Sequence, residues 1–471
     1  MSFYAWIRDG IRRPDNCAEQ QVDVLIVGAG IGGLAAARAL AKYGFRTMVV
    51  GKGPRGGHNA LDGQPTITGE PASTYISRYN DVEVIDGVFD GEVVIAERCI
   101  RPRYKHLVLN TGGVEMYPPL PGSPKVALAS DALAGGVDAE RLLVWGTSEW
   151  GLRTALALAE RGHKVLVADN SAYLRDVKYY QRVEDKLRKL GVDVIYSATV
   201  KRFKDGEVVL AVNAGKKGVE ERRVEADLFV SAARTANLFL PFRLGLKVFY
   251  SFELNSLVPR RSSFGEVLSV DDRGKAVAGT NIYVVGELYG AVYAHHQEEQ
   301  GAILASYIAA KEGVEDLDKA SKELEQFRAK LAVELNWLYN LDLRLSRGTD
   351  YSGIYAEPNV IDAPGWPYFW PNLSEVDGDQ VLCPCTGLKI KDLMNAVRRA
   401  NEGAVRMRVT SDEVNKLRHL KLPTLVQLGS GPSPCFEAFC VPNIAIITAA
   451  IYAQKPSYVL YGKPKQLYAA E

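Results

Sequence analysis

Apolar, β-branched residues cluster at Val22–Val27 (VDVLIV), stop abruptly at GAGIGG, and resume at helical spacing in AAARALAKYG. That pattern predicts a short buried strand, a tight turn and an amphipathic helix. A second apolar run, FRTMVV, follows, so the first 50 residues read as a βαβ unit with Gly28, Gly30 and Gly33 at its turn. Between Leu142 and Asp169 the same order returns as LLVWG, TSEWG, the helical LRTALALAERG and the strand KVLVAD. Inserting one such unit into another requires a later return to complete the first. NIYVVGELYGA offers that late strand and glycine turn, with a helix from His295 to Lys311 behind it. A charged helical stretch from Glu312 to Arg347 then reads as a packed connector, and YAEPNVIDAPGWPYFWPNL as a Pro- and aromatic-rich strap. The expected layout is a first nucleotide domain at 1–130 and 236–310, an inserted second one at 131–235, connector and strap at 311–375, and a cysteine-bearing domain at 376–471.

A chain of 471 residues has room for about three domains at roughly 150 residues each. Its 57 Lys and Arg against 56 Asp and Glu give no field that would steer it onto nucleic acid or anionic lipid. No uncharged apolar run approaches the length of a membrane span, and the opening MSFYAWIRDGIRRPDNC carries charges where a signal peptide needs apolar residues. A cytoplasmic protein is expected. The cysteines fall unevenly: Cys17 and Cys99 stand alone, whereas Cys383, Cys385, Cys435 and Cys440 form two close pairs.

GAGIGG is a full G-x-G-x-x-G between a strand and a helix, the context in which its glycines allow a tight turn, close approach of backbone to a diphosphate, and helix packing. The acid that would hold the ribose hydroxyls at the end of the second strand is replaced by Gly51, so the nucleotide's identity stays open. The second turn keeps Gly146 and Gly151 but has Ser148 at the middle glycine position, while Asp169 does occupy the strand-end acidic position. Two readings of this unit stand side by side, a bound NAD-like ligand and a domain kept for its shape. His295 and His296 either line the nucleotide pocket or open a helix with one imidazole packed and one solvated. The C-x-C of Cys383 and Cys385 and the C-x4-C of Cys435 and Cys440 supply four thiolates, which by spacing alone suit zinc or a [2Fe-2S] cluster.

Gly28, Gly30 and Gly33, then Gly56-Gly57, then Thr111-Gly112 after the strand KHLVLN, then Gly286-Glu287, resemble in order and spacing the flavoprotein disulfide-reductase superfamily. Departures are Asn110 for alanine, Glu287 for aspartate and Gly51 for the acid. No cysteine pair lies near the first glycine motif, which argues against dithiol chemistry there. The context GSGPSPCFEAFC resembles the bacterioferritin-associated-ferredoxin type of domain, which selects [2Fe-2S] over zinc. The whole arrangement resembles the α subunit of heteromeric amino-acid dehydrogenases and oxidases, the dye-linked proline and hydroxyproline dehydrogenases, sarcosine and opine oxidases and hydrogen cyanide synthase. The resemblance implies an α/β fold of two dinucleotide-binding domains and a small helical [2Fe-2S] domain. It also implies FAD at the first site, with ATP or NAD as alternatives, and FMN at a subunit interface. Further expectations are an FAD-containing β subunit as partner, a separate electron acceptor, and substrate oxidation in that β subunit, so no catalytic residue is assigned here. The competing reading is a self-contained NAD(P)H-dependent flavin and iron-sulfur reductase.

Overall fold

The computed structural model describes residues 16–57, 63–115, 125–169, 174, 176–213, 219–246, 248–251, 256–270, 276–290, 293–334, 378–383 and 388–395. They form two compact units, one holding the described residues up to Val114 and from Thr235 to Glu334, the other built around Glu115–Arg234.

The first unit opens with β1 (Ala18–Gln21), β2 (Val24–Val27), α1 (Ile31–Lys42) and β3 (Thr47–Gly51). A short helix α2 (Ala72–Ser77) leads to β4 (Ile85–Asp86), β5 (Val88–Phe89), β6 (Val94–Ile95), β7 (Ile100–Arg103) and β8 (His106–Leu109). β2 is buried along its whole length because it lies between β3 and β8, all parallel, with Val24 opposite both Thr47 and His106. An unbroken apolar run is what a strand covered on both faces requires. β1 instead joins a smaller sheet ordered β1-β7-β6-β5, with Ala18 opposite Ile100 in parallel register. That register places the preceding residues, Cys17 and Cys99, side by side as a disulfide with Cα atoms 4.6 Å apart. The expectation that they stand alone is thereby corrected: strand pairing unites positions 82 residues apart in sequence.

The chain crosses to the second unit through β9 (Gly113–Glu115), followed by β10 (Val126–Leu128), α3 (Ala129–Gly135), β11 (Arg141–Trp145), α4 (Glu149–Glu160), β12 (Lys164–Ala168), α5 (Val177–Lys189) and β13 (Asp193–Ile195). A meander of β14 (Ala198–Lys204), β15 (Glu207–Asn213) and β16 (Val219–Glu225) precedes β17 (Leu228–Ser231). The parallel sheet runs β10-β17-β11-β12-β13. Because β10 pairs with β17, Val126 opposite Phe229, the inserted unit takes in residues before 131, and that expected boundary moves N-terminally. The chain returns through β18 (Arg234–Ala236), which is hydrogen-bonded to β9.

After α6 (Phe239–Arg243) and a hairpin of β19 (Val248–Ser251) and β20 (Ser256–Pro259) come β21 (Glu266–Val270) and β22 (Ala276–Val284). β22 pairs in parallel with β8, Ile282 opposite Leu107, and completes the six-stranded sheet β21-β22-β8-β2-β3-β4. A 3₁₀ turn, Gly286–Leu288, leads to α7 (Ala294–Lys311) and α8 (Leu317–Glu334). α7 crosses α1 at two glycines: a Cβ on Gly301 would lie 2.2 Å from the carbonyl oxygen of Gly32, so the backbones meet directly. α8 buries Ala320, Leu324, Phe327 and Leu331, a stripe at helical spacing, and packs on α7. The described part of the connector is therefore part of the first unit and not a spacer. At the edge of the sheet, Glu266 of β21 is buried and held by Tyr307 Oη (2.9 Å) and Lys311 Nζ (2.8 Å), which satisfy a carboxylate that would be costly unpaired.

Farther on, β23 (Val381–Cys383) turns back antiparallel on β24 (Leu388–Lys389), and a helical turn starts at Ile390. Asp379 bonds Lys389 (2.9 Å) and Lys391 (2.6 Å), and those two ammonium groups hold its carboxyl down at about 2. The strap lies outside the described residues.

Candidate nucleotide site

The glycine turn connects β2 to α1 and is closed by Asn110, the residue after β8. Asn110 Nδ2 donates to the Gly28 carbonyl (3.1 Å), and its backbone N–H donates to Val27 O (2.7 Å). A Cβ on Gly28 would sit 2.0 Å from Asn110 O, one on Gly30 2.8 Å from Asn110 Nδ2, and one on Gly33 2.5 Å from Gly28 O. Gly28 also has φ of +111°, which glycine adopts without the Cβ penalty. The segment after β3 folds back over the turn: Gly56 N–H donates to Ala29 O (2.8 Å), and Gly56 bridges Gly30 in parallel. Arg55 anchors it by donating Nη1 to Tyr79 O and Val82 O, both at 2.8 Å. A Cβ on Gly51 would lie 2.9 Å from Ala29 Cβ and 3.0 Å from Ala29 N, so any side chain at this strand end requires the turn to shift.

Open room flanks this turn. A Cβ on Gly57 would meet only Gly30 Cα, at 3.9 Å, and one on Gly112 only Glu287 Oε2, at 3.8 Å. Both glycines have φ of +65°. Thr111 Oγ1 donates to Asn237 O at 3.4 Å, which ties the end of β8 to the segment between β18 and α6. Gly286 N–H donates to Gln300 Oε1 (2.9 Å), which ties the 3₁₀ turn to α7 and leaves Glu287 half-buried beside Gly112. Gly28, Gly30, Gly33, Gly57, Thr111, Gly112, Gly286 and Glu287 thus lie at one end of one sheet. A strand-to-helix turn with space beside two positive-φ glycines and one carboxylate fits an adenine-containing cofactor with a diphosphate and a hydroxylated chain.

The inserted unit repeats the turn with different contents. Gly151 packs against Gly146, since a Cβ there would lie 2.1 Å from Gly146 O. Asp169, the strand-end acid, accepts from Thr147 N–H (2.7 Å) and Thr147 Oγ1 (2.8 Å) through Oδ2. One of its oxygens is therefore spent on the turn itself. Glu149 is buried in the first turn of α4, and nearby Glu115 accepts from Trp150 Nε1 (2.7 Å); burial pushes the Glu115 carboxyl up against the pull of Ser130 and Arg234. Acidic groups around a helix N-terminus compete with a phosphate for that position.

Residues 22–313 match the family model described as pyridine nucleotide-disulphide oxidoreductase, which is more than half of the chain. The chain belongs to that family. As a member it is an oxidoreductase of the flavoprotein type with Rossmann-like units. Among curated proteins no relative matches. L-proline dehydrogenase from P. horikoshii is similar in structure over 95% of this chain and 77% of its own, at 17% identity and a TM-score of 0.52. Thioredoxin reductase from T. acidophilum covers 61% of this chain and 99% of its own, at 17% identity and a TM-score of 0.44. The bacillithiol disulfide reductase of Bacillus cereus covers 62% and 100%, at 20% identity and a TM-score of 0.43. At these identities the first of the three likenesses establishes shared fold.

In this oxidoreductase the disulfide precedes β1 and β7, whereas the glycine turn follows β2 and Asn110 follows β8. Cys17 and Cys99 therefore lie away from the nucleotide end of the strands and belong to the small sheet. Cys383 closes β23, and Cys385, Cys435 and Cys440 lie outside the described residues. No helix among the described residues is long and apolar enough to cross a membrane. The residue that sequence reasoning undervalued is Asn110, seen only as a departure from alanine. Its amide organises the turn from 82 positions away.

Proposed function

We propose that this chain is the electron-transferring subunit of a flavin-dependent amino-acid dehydrogenase complex. The observation that carries this reading is the likeness to an L-proline dehydrogenase over 95% of the chain, joined to a nucleotide turn with no cysteine pair beside it. The backbone of Gly28–Gly33 and the N-terminus of α1 receive the diphosphate of FAD, and Gly57 gives it clearance. Glu287 accepts a hydrogen bond from a ribityl or ribose hydroxyl. Gly51 offers the adenosine ribose no carboxylate, which keeps ATP and NAD in play as occupants. Cys383, Cys385, Cys435 and Cys440 form a soft, anionic donor set suited to one [2Fe-2S] cluster. Amine oxidation releases two electrons and a cluster takes one at a time, so a flavin, FAD here or FMN at the interface, supplies the conversion. A β subunit oxidises the substrate, and the acceptor lies beyond the cluster. The Thr147–Asp169 contact weighs against the inserted unit as a productive NAD(P)H site.

The test is expression with and without a candidate β partner, followed by dye reduction with proline, hydroxyproline and sarcosine. Activity is expected only from the complex, and anaerobically purified protein should hold iron and sulfide in equal amounts. Full amino-acid-dependent activity from the isolated, flavin-loaded chain would overturn the subunit reading, and stoichiometric zinc without sulfide would overturn the cluster.

A further inference from the structure

His295 and His296 are consecutive in the first turn of α7, where neighbouring side chains diverge by about 100° around the axis. These two do not diverge. Their ring centroids are 4.0 Å apart, and both direct Nε2 at the same oxygen of Glu334, the last described residue of α8, at 2.9 Å and 2.8 Å. The three potential ligand atoms lie within 4.8 Å of one another. Packing holds the rings in place: Tyr293 stacks on His295 at 5.8 Å, and Phe327 meets His296 edge-on at 6.0 Å. His296 is fully buried, while the Glu334 side chain keeps 36% of its exposure, so the cluster has one solvent-facing side. Lys330, one turn earlier on α8, is taken by Glu299 (2.7 Å), and Glu334 faces the imidazoles.

We infer that His295, His296 and Glu334 form a binding site for a divalent transition-metal ion of the zinc type, which clips the end of α8 to the start of α7. Two neutral imidazoles and one carboxylate are a donor set that such ions favour, and they leave a position open toward solvent. Metal–ligand bonds of about 2.0–2.1 Å in a tetrahedron require ligand atoms about 3.3 Å apart. The present nitrogen–oxygen separations open to that value by a small swing of the half-exposed Glu334. The site shares no residue with the nucleotide turn and does not depend on what fills it.

Cobalt(II) added to the full-length protein tests the assignment, because thiolate ligation gives an intense sulfur-to-metal charge-transfer band and an imidazole-carboxylate site gives weak ligand-field bands alone. One equivalent with ligand-field bands and no sulfur band is expected from this site. His295→Gln and Glu334→Gln, each with an unchanged far-ultraviolet spectrum, should weaken that equivalent at least tenfold and leave any cysteine-bound cobalt and the bound nucleotide unaltered. Should the native protein show sulfur-ligated cobalt only or take up none, or should both variants bind as tightly as the parent, the site is refuted.

Discussion

Asn110 carries more of the nucleotide turn than any glycine does. Gly30 has φ of −71°, so its backbone accommodates any residue, and the three atoms nearest a Cβ placed there all belong to the Asn110 side chain. Gly30→Ala should therefore cost about 1–3 kcal/mol by overpacking, and Asn110→Ala should make room for it. Denaturation of the parent, both single variants and the double variant is expected to give a coupling of about 1 kcal/mol or more, with the double variant more stable than additivity allows. Strict additivity would show that another neighbour excludes the methyl group. Gly33 differs, because its Cβ would strike the Gly28 carbonyl at 2.5 Å and no change at Asn110 relieves that. The spacing of glycines was readable in the chain; the partner that demands one of them was not, since nothing local marks Asn110.

Among the elements, the parallel β–turn–α units were legible because the buried strands are continuous apolar runs and the helices repeat at 3.6 residues. The smaller sheet was not. β1, AEQQ, is exposed throughout, polar after its first residue, and gains its place by pairing with β7. The same pairing makes the Cys17–Cys99 link, which closes a loop of 82 residues. Replacing both cysteines by serine should destabilise the first unit by about 4 kcal/mol on the chain-entropy estimate. A thermal melt with and without reductant checks it, since the parent should fall toward the double variant on reduction and the variant should not respond. The meander of β14 to β16 was likewise illegible: β14 and β16 are rich in charge, and the consecutive buried residues Val208, Val209 and Leu210 of β15 give no period-2 alternation to read. The β10 boundary was missed because a three-residue strand leaves almost no periodicity to read.

For the molecule as a whole, the order of motifs was enough to place one dinucleotide unit inside another. What the order could not convey is how the chain crosses between them. It leaves the first unit after Val114 and rejoins it at Thr235, on strands β9 and β18 that are hydrogen-bonded neighbours. Ends that meet in this way satisfy the geometric condition for inserting or removing a domain. Joining residue 114 to 235 through a short Gly-Ser linker should give a folded protein that retains the nucleotide of the Gly28 turn; a product that is insoluble or empty would show that the insert belongs to the first unit's folding core. The side-by-side crossing makes the inserted unit a cassette. Its turn commits Asp169 to Thr147 while the host's turn keeps clearance at Gly57 and Gly112, and a change confined to the cassette leaves the frame that carries it unaltered.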